Sequence, residues 1–177
     1  MNKEIGMACT VRLEAPAERQ QVVALTEQAF RHHPHSQQTE AAIIQALDRD
    51  GALSLSLVAV DETGSVIGHL ALSPVTTGQG AAGWYGLGPM AVRPDRQGRG
   101  VGSALVRAAL GWLDEQGANG CVLLGEPAFY GRLGFAADPA LRFPGVPAEY
   151  FLCRRLRGPA IDGDVVYHPA FYQGPAV

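Results

Sequence analysis

The chain has 177 residues, of which 47% are hydrophobic and 18% charged, and its net charge is -3. That length fits one domain able to bury roughly 70% of the surface its unfolded form would expose, and the absence of a basic excess argues against nucleic acid as a partner. No apolar run approaches the length of a membrane span, and Met1 to Thr10 lacks the apolar core of a signal peptide, so the expected setting is the cytoplasm with no membrane partner.

Three cysteines, Cys9, Cys121 and Cys153, are an odd number without C-x-x-C spacing, which speaks for reduced thiols and against a disulfide framework or a zinc site. Residues 1–8 carry no pattern and are expected to be flexible. Val11 to Leu13 reads as a short strand. Ala17 to Phe30 spaces Val22, Val23, Leu25, Thr26, Ala29 and Phe30 at helical intervals. After a polar loop over His32 to Gln38, Thr39 is placed to cap a second helix with Ile43, Ile44 and Leu47 on its apolar face, ended by Gly51. The loop sequence His32-His33-Pro34-His35 has the composition of a metal cluster, but Pro34 interrupts it and no cysteine or carboxylate spacing accompanies it, so no metal is expected.

Leu53-Ser54-Leu55-Ser56-Leu57 alternates with a period of two through Val60, and a polar Asp61-Glu62-Thr63-Gly64 turn leads into Val66 to Ser73, the pattern of an antiparallel hairpin. Pro74, Gly78, Gly80 and Gly83 mark a longer turn before a strand over Trp84 to Val92, which Pro94 ends. From Val101 a helix carries Leu105, Ala108 and Trp112 at steps of three and four as far as Gly117. Cys121 to Leu124 reads as a buried strand, with Cys121 a small core residue. Pro127 to Leu133 reads as a short helix, and a strand follows around Tyr150 to Leu156. Arg154, Arg155 and Arg157 read as charges on an exposed sheet edge that discourage pairing.

The most informative stretch is Gln97-Gly98-Arg99-Gly100-Val101-Gly102, between a strand and a helix. Such a turn directs backbone N–H groups and a helix N-terminus at one spot, where residues without a Cβ let a ligand approach, and it reads as a pyrophosphate cradle. It is not a Walker A loop, since no lysine follows the glycines. A dinucleotide fingerprint starting at Gly98 fails as well, because position 103 holds Ser103.

With Gln97, Gly100 and Gly102 in the pattern [RQ]-x-x-G-x-[GA], the chain resembles the GCN5-related N-acetyltransferase (GNAT) superfamily. The resemblance extends upstream through Leu87-Gly88-Pro89-Met90-Ala91-Val92-Arg93-Pro94, similar to that family's fourth strand. Downstream it continues through Ala128-Phe129-Tyr130-Gly131-Arg132-Leu133-Gly134-Phe135, similar to its tyrosine helix, and it covers about residues 53–137 in order. The tail Gly163 to Phe171 looks like a bacterial branch of acetyltransferases.

The resemblance implies an α/β fold with a mostly antiparallel mixed sheet, flanked by helices and splayed between its fourth and fifth strands. It implies a single N-acetyltransferase domain over 1–177, with the core motifs at 53–137 and residues 138–177 completing the acceptor side. Acetyl-CoA is then the cosubstrate, with no metal. Backbone groups of Met90, Ala91 and Val92 would meet the pantetheine, and the amides of Gln97, Gly98, Arg99, Gly100, Val101, Gly102 and Ser103 the pyrophosphate. Arg93, Arg96, Arg99 and Arg107 are candidates for added positive charge.

The reaction so implied is direct acyl transfer from the thioester to a primary amine of a small molecule or protein, by a monomer or homodimer. An amine with a pKa near ~10.4 must lose a proton before it attacks. A backbone N–H near Met90 to Val92 is placed to stabilise the oxyanion. Tyr130 matches the tyrosine expected beside the CoA sulfur as general acid, and it is also the feature that argues against a non-catalytic acyl-CoA sensor of the same fold. Glu126 is the foremost candidate base; Glu40 and His69 are alternatives, and each of the three also has a reading as a cap, a surface charge or a satisfied strand residue. The asparagine that often precedes the tyrosine helix is absent, since Leu123 to Pro127 offers no amide side chain.

Overall fold

A computed structural model describes residues 9–78 and 80–174. The expectation of flexibility over residues 1–8 falls outside these. In chain order the elements are β1 (Thr10–Leu13), α1 (Arg19–Phe30), α2 (Glu40–Arg49), β2 (Leu55–Val60), β3 (Val66–Thr77), β4 (Trp84–Val92), α3 (Val101–Glu115), β5 (Gly120–Leu124), α4 (Pro127–Tyr130), β6 (Ala136–Ala137), β7 (Leu141–Arg142), β8 (Phe151–Arg155) and β9 (Gly163–Val166), with short 3-10 turns between several of them. The strands are ordered β1-β2-β3-β4-β5-β8-β6, and β9 joins β3 to β7. Most pairings on this path are antiparallel. The exception is β4 with β5, which run parallel, as a strand–helix–strand crossover through α3 requires.

Strand alternation sets which helices lie on which face. A Cβ on Gly68 would stand 2.9 Å from Val101 Cγ1 and 3.0 Å from Leu105 Cδ1, so residues 68, 70 and 72 of β3 face α3 and residues 69, 71 and 73 face the other way. The α3 face holds the largest core cluster, in which Leu105, Val106, Ala109 and Leu113 meet Leu55, Leu57, Leu70, Leu72 and Leu123. The buried stripe of α3 is Val101, Leu105, Val106, Ala109 and Leu113, whereas Ala108 and Trp112 of the expected stripe are half-buried at its border. On the opposite face α1 packs Val22 and Leu25 against Val58, Val60 and Val66, together with Ile44 of α2. Each fully buried leucine stabilises the fold by about 1.5–3 kcal/mol.

The helix ends form where the sequence places them. Gly51 (φ 67°) and Gly117 (φ 69°) take the left-handed conformation just beyond α2 and α3, and the amides of Ala52 and Ala118 return to Leu47 and Leu113 carbonyls at 2.8 and 2.9 Å. Thr39 occupies the cap position of α2 but makes no side-chain cap bond. The hairpin turn is tied by Asp61, whose Oδ1 accepts from the amides of Thr63 at 3.0 Å and Ser65 at 3.1 Å.

Three expectations are corrected. First, β3 does not stop at Ser73 but runs through Pro74 to Thr77; β2 ends its pairing at Leu55↔Leu72, so a residue without an N–H at 74 disturbs no ladder on that side, and β9 takes over at Thr76↔Val166. Second, residues 16–18 form a 3-10 turn, and α1 begins only at Arg19. Third, β8 is no free edge: it pairs with β5 along its length and with β6 at Leu152 and Cys153. Its arginines are used within the fold, Arg154 donating to Leu133 O at 2.7 Å and Arg155 to Asp138 at 2.7 Å, and Arg157 beyond the strand donates to Asp114 O at 3.2 Å.

Candidate active site

The two parallel strands part company. The β4–β5 ladder consists of Trp84↔Gly120, Tyr85↔Cys121 and Gly86↔Val122, while β5 continues through Leu123 and Leu124 in partnership with β8. At the parting point β4 carries one extra residue, since Leu72 faces Leu87 but Leu70 faces Met90, and such a bulge bends a strand away from its neighbour. Beyond it Arg93 N donates to Ile67 O at 2.9 Å. In an antiparallel ladder that bond turns the backbone groups of Ala91 and Arg93 toward β3, and therefore those of Met90 and Val92 toward the gap left by β5. The Val92 carbonyl accepts from Gln97 Nε2 at 3.0 Å, so the motif glutamine ties the turn to the strand end.

The turn itself keeps its donors open. Gly98 and Gly100 have φ of 72° and 86°, a backbone that residues with a Cβ rarely adopt. Gln97 N reaches Pro94 O only at 3.5 Å, and the first bond into α3 is from Ala104 N to Gly100 O at 3.0 Å. Among the described residues the amides of Gly98, Gly100, Val101, Gly102 and Ser103 donate to no carbonyl. These donors gather at the positive end of a helix of 15 residues, a setting that favours an anion. Arg99 stands exposed within the same turn.

The parts converge. A Cβ on Gly102 would lie 3.4 Å from Phe129 Cζ and 3.6 Å from Met90 Cε, so the first turn of α3, the outer half of β4 and helix α4 meet at one place. Tyr130 follows Phe129, its ring edge-on to Phe129 at 4.8 Å and to Phe135 at 5.9 Å. Its side chain lies against Gly125, where any Cβ would overlap the ring. Burial, with Cys121 adding to it, pushes the Tyr130 phenol up to about 12, so it stays protonated at neutral pH. Among the described residues nothing hydrogen-bonds its hydroxyl. Cys121 is fully buried and its thiol is likewise pushed to about 12 by burial, which suits a core residue and not a nucleophile.

The remaining candidates separate. Glu126 holds the N-terminus of α4 through its backbone carbonyl, which accepts from Phe129 N at 3.1 Å and Tyr130 N at 3.0 Å, while its side chain is exposed. Glu40 accepts from Ser36 Oγ at 2.6 Å at the start of α2. Arg93 is paired with Asp95 at 2.6 Å, and Arg96 with Asp61 at 3.4 Å, bracing the loop before the glycine turn; Arg107 is exposed. His32, His33 and His35 lie exposed in their loop, and the described residues contain no group of three or more His, Cys, Asp or Glu able to hold a metal.

His69 is wholly buried and lies opposite Ala91 of β4. Its Nε2 stands 2.7 Å from Ser56 Oγ, and Ser56 in turn donates a short hydrogen bond to Glu14 Oε2. Glu14 is clasped by Arg19, at 2.7 Å through Nε and 2.8 Å through Nη2, and Arg19 also reaches Asp48 at 3.3 Å. Burial pushes His69 down to about 4, partly offset by Glu14. Neither Glu14 nor Ser56 stood out in the sequence. Ser54 and Ser56 alternate with the leucines of the strand, and nothing local announces that α1 and α2 cover their side.

The chain matches the model of the Acetyltransferase (GNAT) family over residues 19–135. It is 36% identical to the N-acetyltransferase YhbS of Escherichia coli K12 over 168 residues, 91% of this chain and 97% of that protein. Two solved structures are similar throughout. A GNAT family acetyltransferase from Brucella melitensis in complex with acetyl-CoA superposes with a TM-score of 0.82 at 43% identity, covering 93% of this chain and 99% of that one. YhbS of Escherichia coli in complex with CoA superposes with a TM-score of 0.85 at 34% identity, covering 98% and 97%.

Proposed function

The chain belongs to the GNAT family of acetyltransferases, and on that premise we propose that it moves the acetyl group of acetyl-CoA directly to a primary amine. The observation that carries this reading is the set of amides of Gly98, Gly100, Val101, Gly102 and Ser103 beside a half-open β4 edge, which donate to no carbonyl among the described residues, in a fold whose relatives hold acetyl-CoA or CoA. The diphosphate sits at the N-terminus of α3, and the pantetheine arm lies along Met90 and Val92 as a substitute strand. Positive charge from the helix end and hydrogen bonds from backbone leave no need for a particular side chain.

The thioester carbonyl then lies near the β4 bulge. Attack by the amine nitrogen places negative charge on the carbonyl oxygen, which a backbone N–H at Met90 stabilises without reorganisation. Collapse of the tetrahedral intermediate expels the CoA sulfur, and Tyr130, neutral at working pH, donates the proton it needs. Glu126 on the lip of the same cleft is exposed to solvent and suits the capture of a cationic acceptor at the entrance.

The test is thiol release from acetyl-CoA across a panel of small amines, amino acids and lysine peptides, beside a thermal-shift titration with CoA. Release with at least one acceptor and saturable stabilisation by CoA are expected. Stabilisation without release from any acceptor would favour a sensor of acyl-CoA, and no stabilisation would overturn the reading altogether.

A further inference from the structure

On the face of β3 turned away from α3, four buried polar atoms have no partner among the described residues: His69 Nδ1, Ser73 Oγ and the Tyr167 hydroxyl lie around one patch, and Thr77 Oγ1 lies farther along the strand. His69 and Ser73 are both wholly buried, and the even spacing of the strand points them to the same side. Tyr167 belongs with them, because its ring presses on Gly86, the cross-strand partner of Ser73. Between them stand Ala71 and Ala91, the smallest side chains available. An unpaired buried polar group costs about 1–3 kcal/mol, so three around one patch of small residues mark a place where a polar group or a water would be held. The patch backs on to the bulge of β4, where the thioester of the proposed reaction lies.

The hydrogen bonds behind His69 fix what it offers there. An ionised Glu14 only accepts, so the single hydroxyl proton of Ser56 goes to Glu14. The Ser56 oxygen must therefore accept from His69, which puts the ring proton on Nε2. The atom left over, Nδ1, carries a bare lone pair and has no partner among the described residues. The charged groups that face this chain are Glu14 from the end of β1, Arg19 from α1 and, through Arg19, Asp48 from α2.

We propose that His69 is the proton acceptor for the attacking amine, taking its proton at Nδ1 directly or through one bridging water, with Ser56 and Glu14 as positioning residues that hold the ring in this tautomer. The proposal rests on the acetyl-transfer reading above and deepens it. The amine enters neutral, its ammonium proton having gone to solvent; as its nitrogen bonds to the carbonyl carbon, one N–H proton passes to Nδ1, the C–S bond then breaks, its electron pair leaves with sulfur, and Tyr130 protonates the thiolate. The imidazolium so formed keeps its Nε2–H on Ser56 and lies 3.9 Å from Glu14. It gives its extra proton back through solvent to the tyrosinate, which restores both groups. Glu14 and Ser56, behind the ring, line a cleft of about 500 Å³.

Two measurements on the full chain test this. Nitrogen-15 NMR of labelled histidine, with the His69 signals assigned by their loss in His69→Gln, is expected to show a protonated Nε2 and a bare Nδ1 at pH 7, and a mixture of tautomers in Ser56→Ala. A proton on Nδ1 in the wild type overturns the proposal. In steady-state kinetics His69→Gln is expected to retain the thermal shift with CoA while kcat falls by about 100-fold or more, and added imidazole is expected to restore part of the rate in His69→Ala. A His69→Gln enzyme as active as an active wild type overturns this inference alone, whereas a wild type that binds CoA but acetylates no amine overturns the parent reading with it.

Discussion

Gly86 and Tyr167 touch so closely that no side chain fits between them: a Cβ at position 86 would stand 2.5 Å from Tyr167 Cε1 and 3.1 Å from Val75 Cγ1. The contact locks the C-terminal segment on to β4 at the point where β4 and β5 separate. Gly86→Ala must therefore push the ring or the strand aside, at a cost of about 1–3 kcal/mol of overpacking. Urea unfolding is expected to show a lower midpoint with an unchanged m-value. An unshifted midpoint would mean that the tail yields freely.

The Tyr167 hydroxyl makes the opposite prediction. It is sealed from solvent and no group among the described residues meets it, while the ring packs edge-on to Phe143 at 5.1 Å and against Phe171 at 5.0 Å. Tyr167→Phe keeps the packing and removes an unpaired polar group, so stability is expected to rise by about 1 kcal/mol. A loss of similar size in thermal or urea unfolding would reveal an internal water that satisfies the hydroxyl.

His69 ties stability to pH. Its ordinary value of 6.5 in the unfolded chain drops to about 4 in the fold. Between these values the unfolded chain holds a proton that the folded one refuses, so stability is full above pH 6.5 and declines as the pH falls toward 4. The decline from this group is about 3 kcal/mol. Comparing urea midpoints at pH 7.5 and 4.5, the wild type is expected to lose more than His69→Gln by this order of magnitude. Parallel losses in both proteins would sink the assignment.

The sequence revealed the order of elements and the glycine turn because each rests on local chemistry: Gly51 and Gly117 stop helices by their left-handed backbone, and Gln97, Gly100 and Gly102 sit within six residues of one another. What it hid depends on contacts between distant segments. Glu14 and Ser56 are 42 positions apart, and their meeting with His69 exists only because α1 and α2 roof a strand face that alternation alone does not mark as covered. The same cause hid the pairing of β8 on both sides, since its two-residue partner β6 has no strand signature of its own. Pro74 misled because a proline is tolerated wherever one ladder side is empty, and which side is empty is a property of the assembled sheet.

Tyr130 offers a separation of chemistry from binding. Its ring fills the space against Gly125, while its hydroxyl has no hydrogen-bond partner among the described residues, so Tyr130→Phe removes the acid and little else. Fold stability and CoA affinity are expected to stay within about 0.5 kcal/mol of the wild type, while kcat falls by about 10²-fold. Equal turnover would assign protonation of the leaving sulfur to water.

Gly100 tests the anion site through the backbone. It caps α3 at φ 86° and supplies the carbonyl that receives Ala104 N at 3.0 Å, so its conformation fixes where the amides of residues 98–103 point. An alanine there pays about 1–2 kcal/mol for the left-handed region or abandons it and swings those amides apart. Either way CoA is expected to bind about tenfold more weakly in calorimetry, whereas dephosphorylated pantetheine, which lacks the diphosphate, is expected to lose nothing. Gly102 provides the contrast: the nearest atom to a Cβ there is 3.4 Å away, and its helical position carries no left-handed strain, so Gly102→Ala is expected to keep most of the affinity. Equal weakening of CoA and pantetheine by Gly100→Ala would move the diphosphate away from this turn.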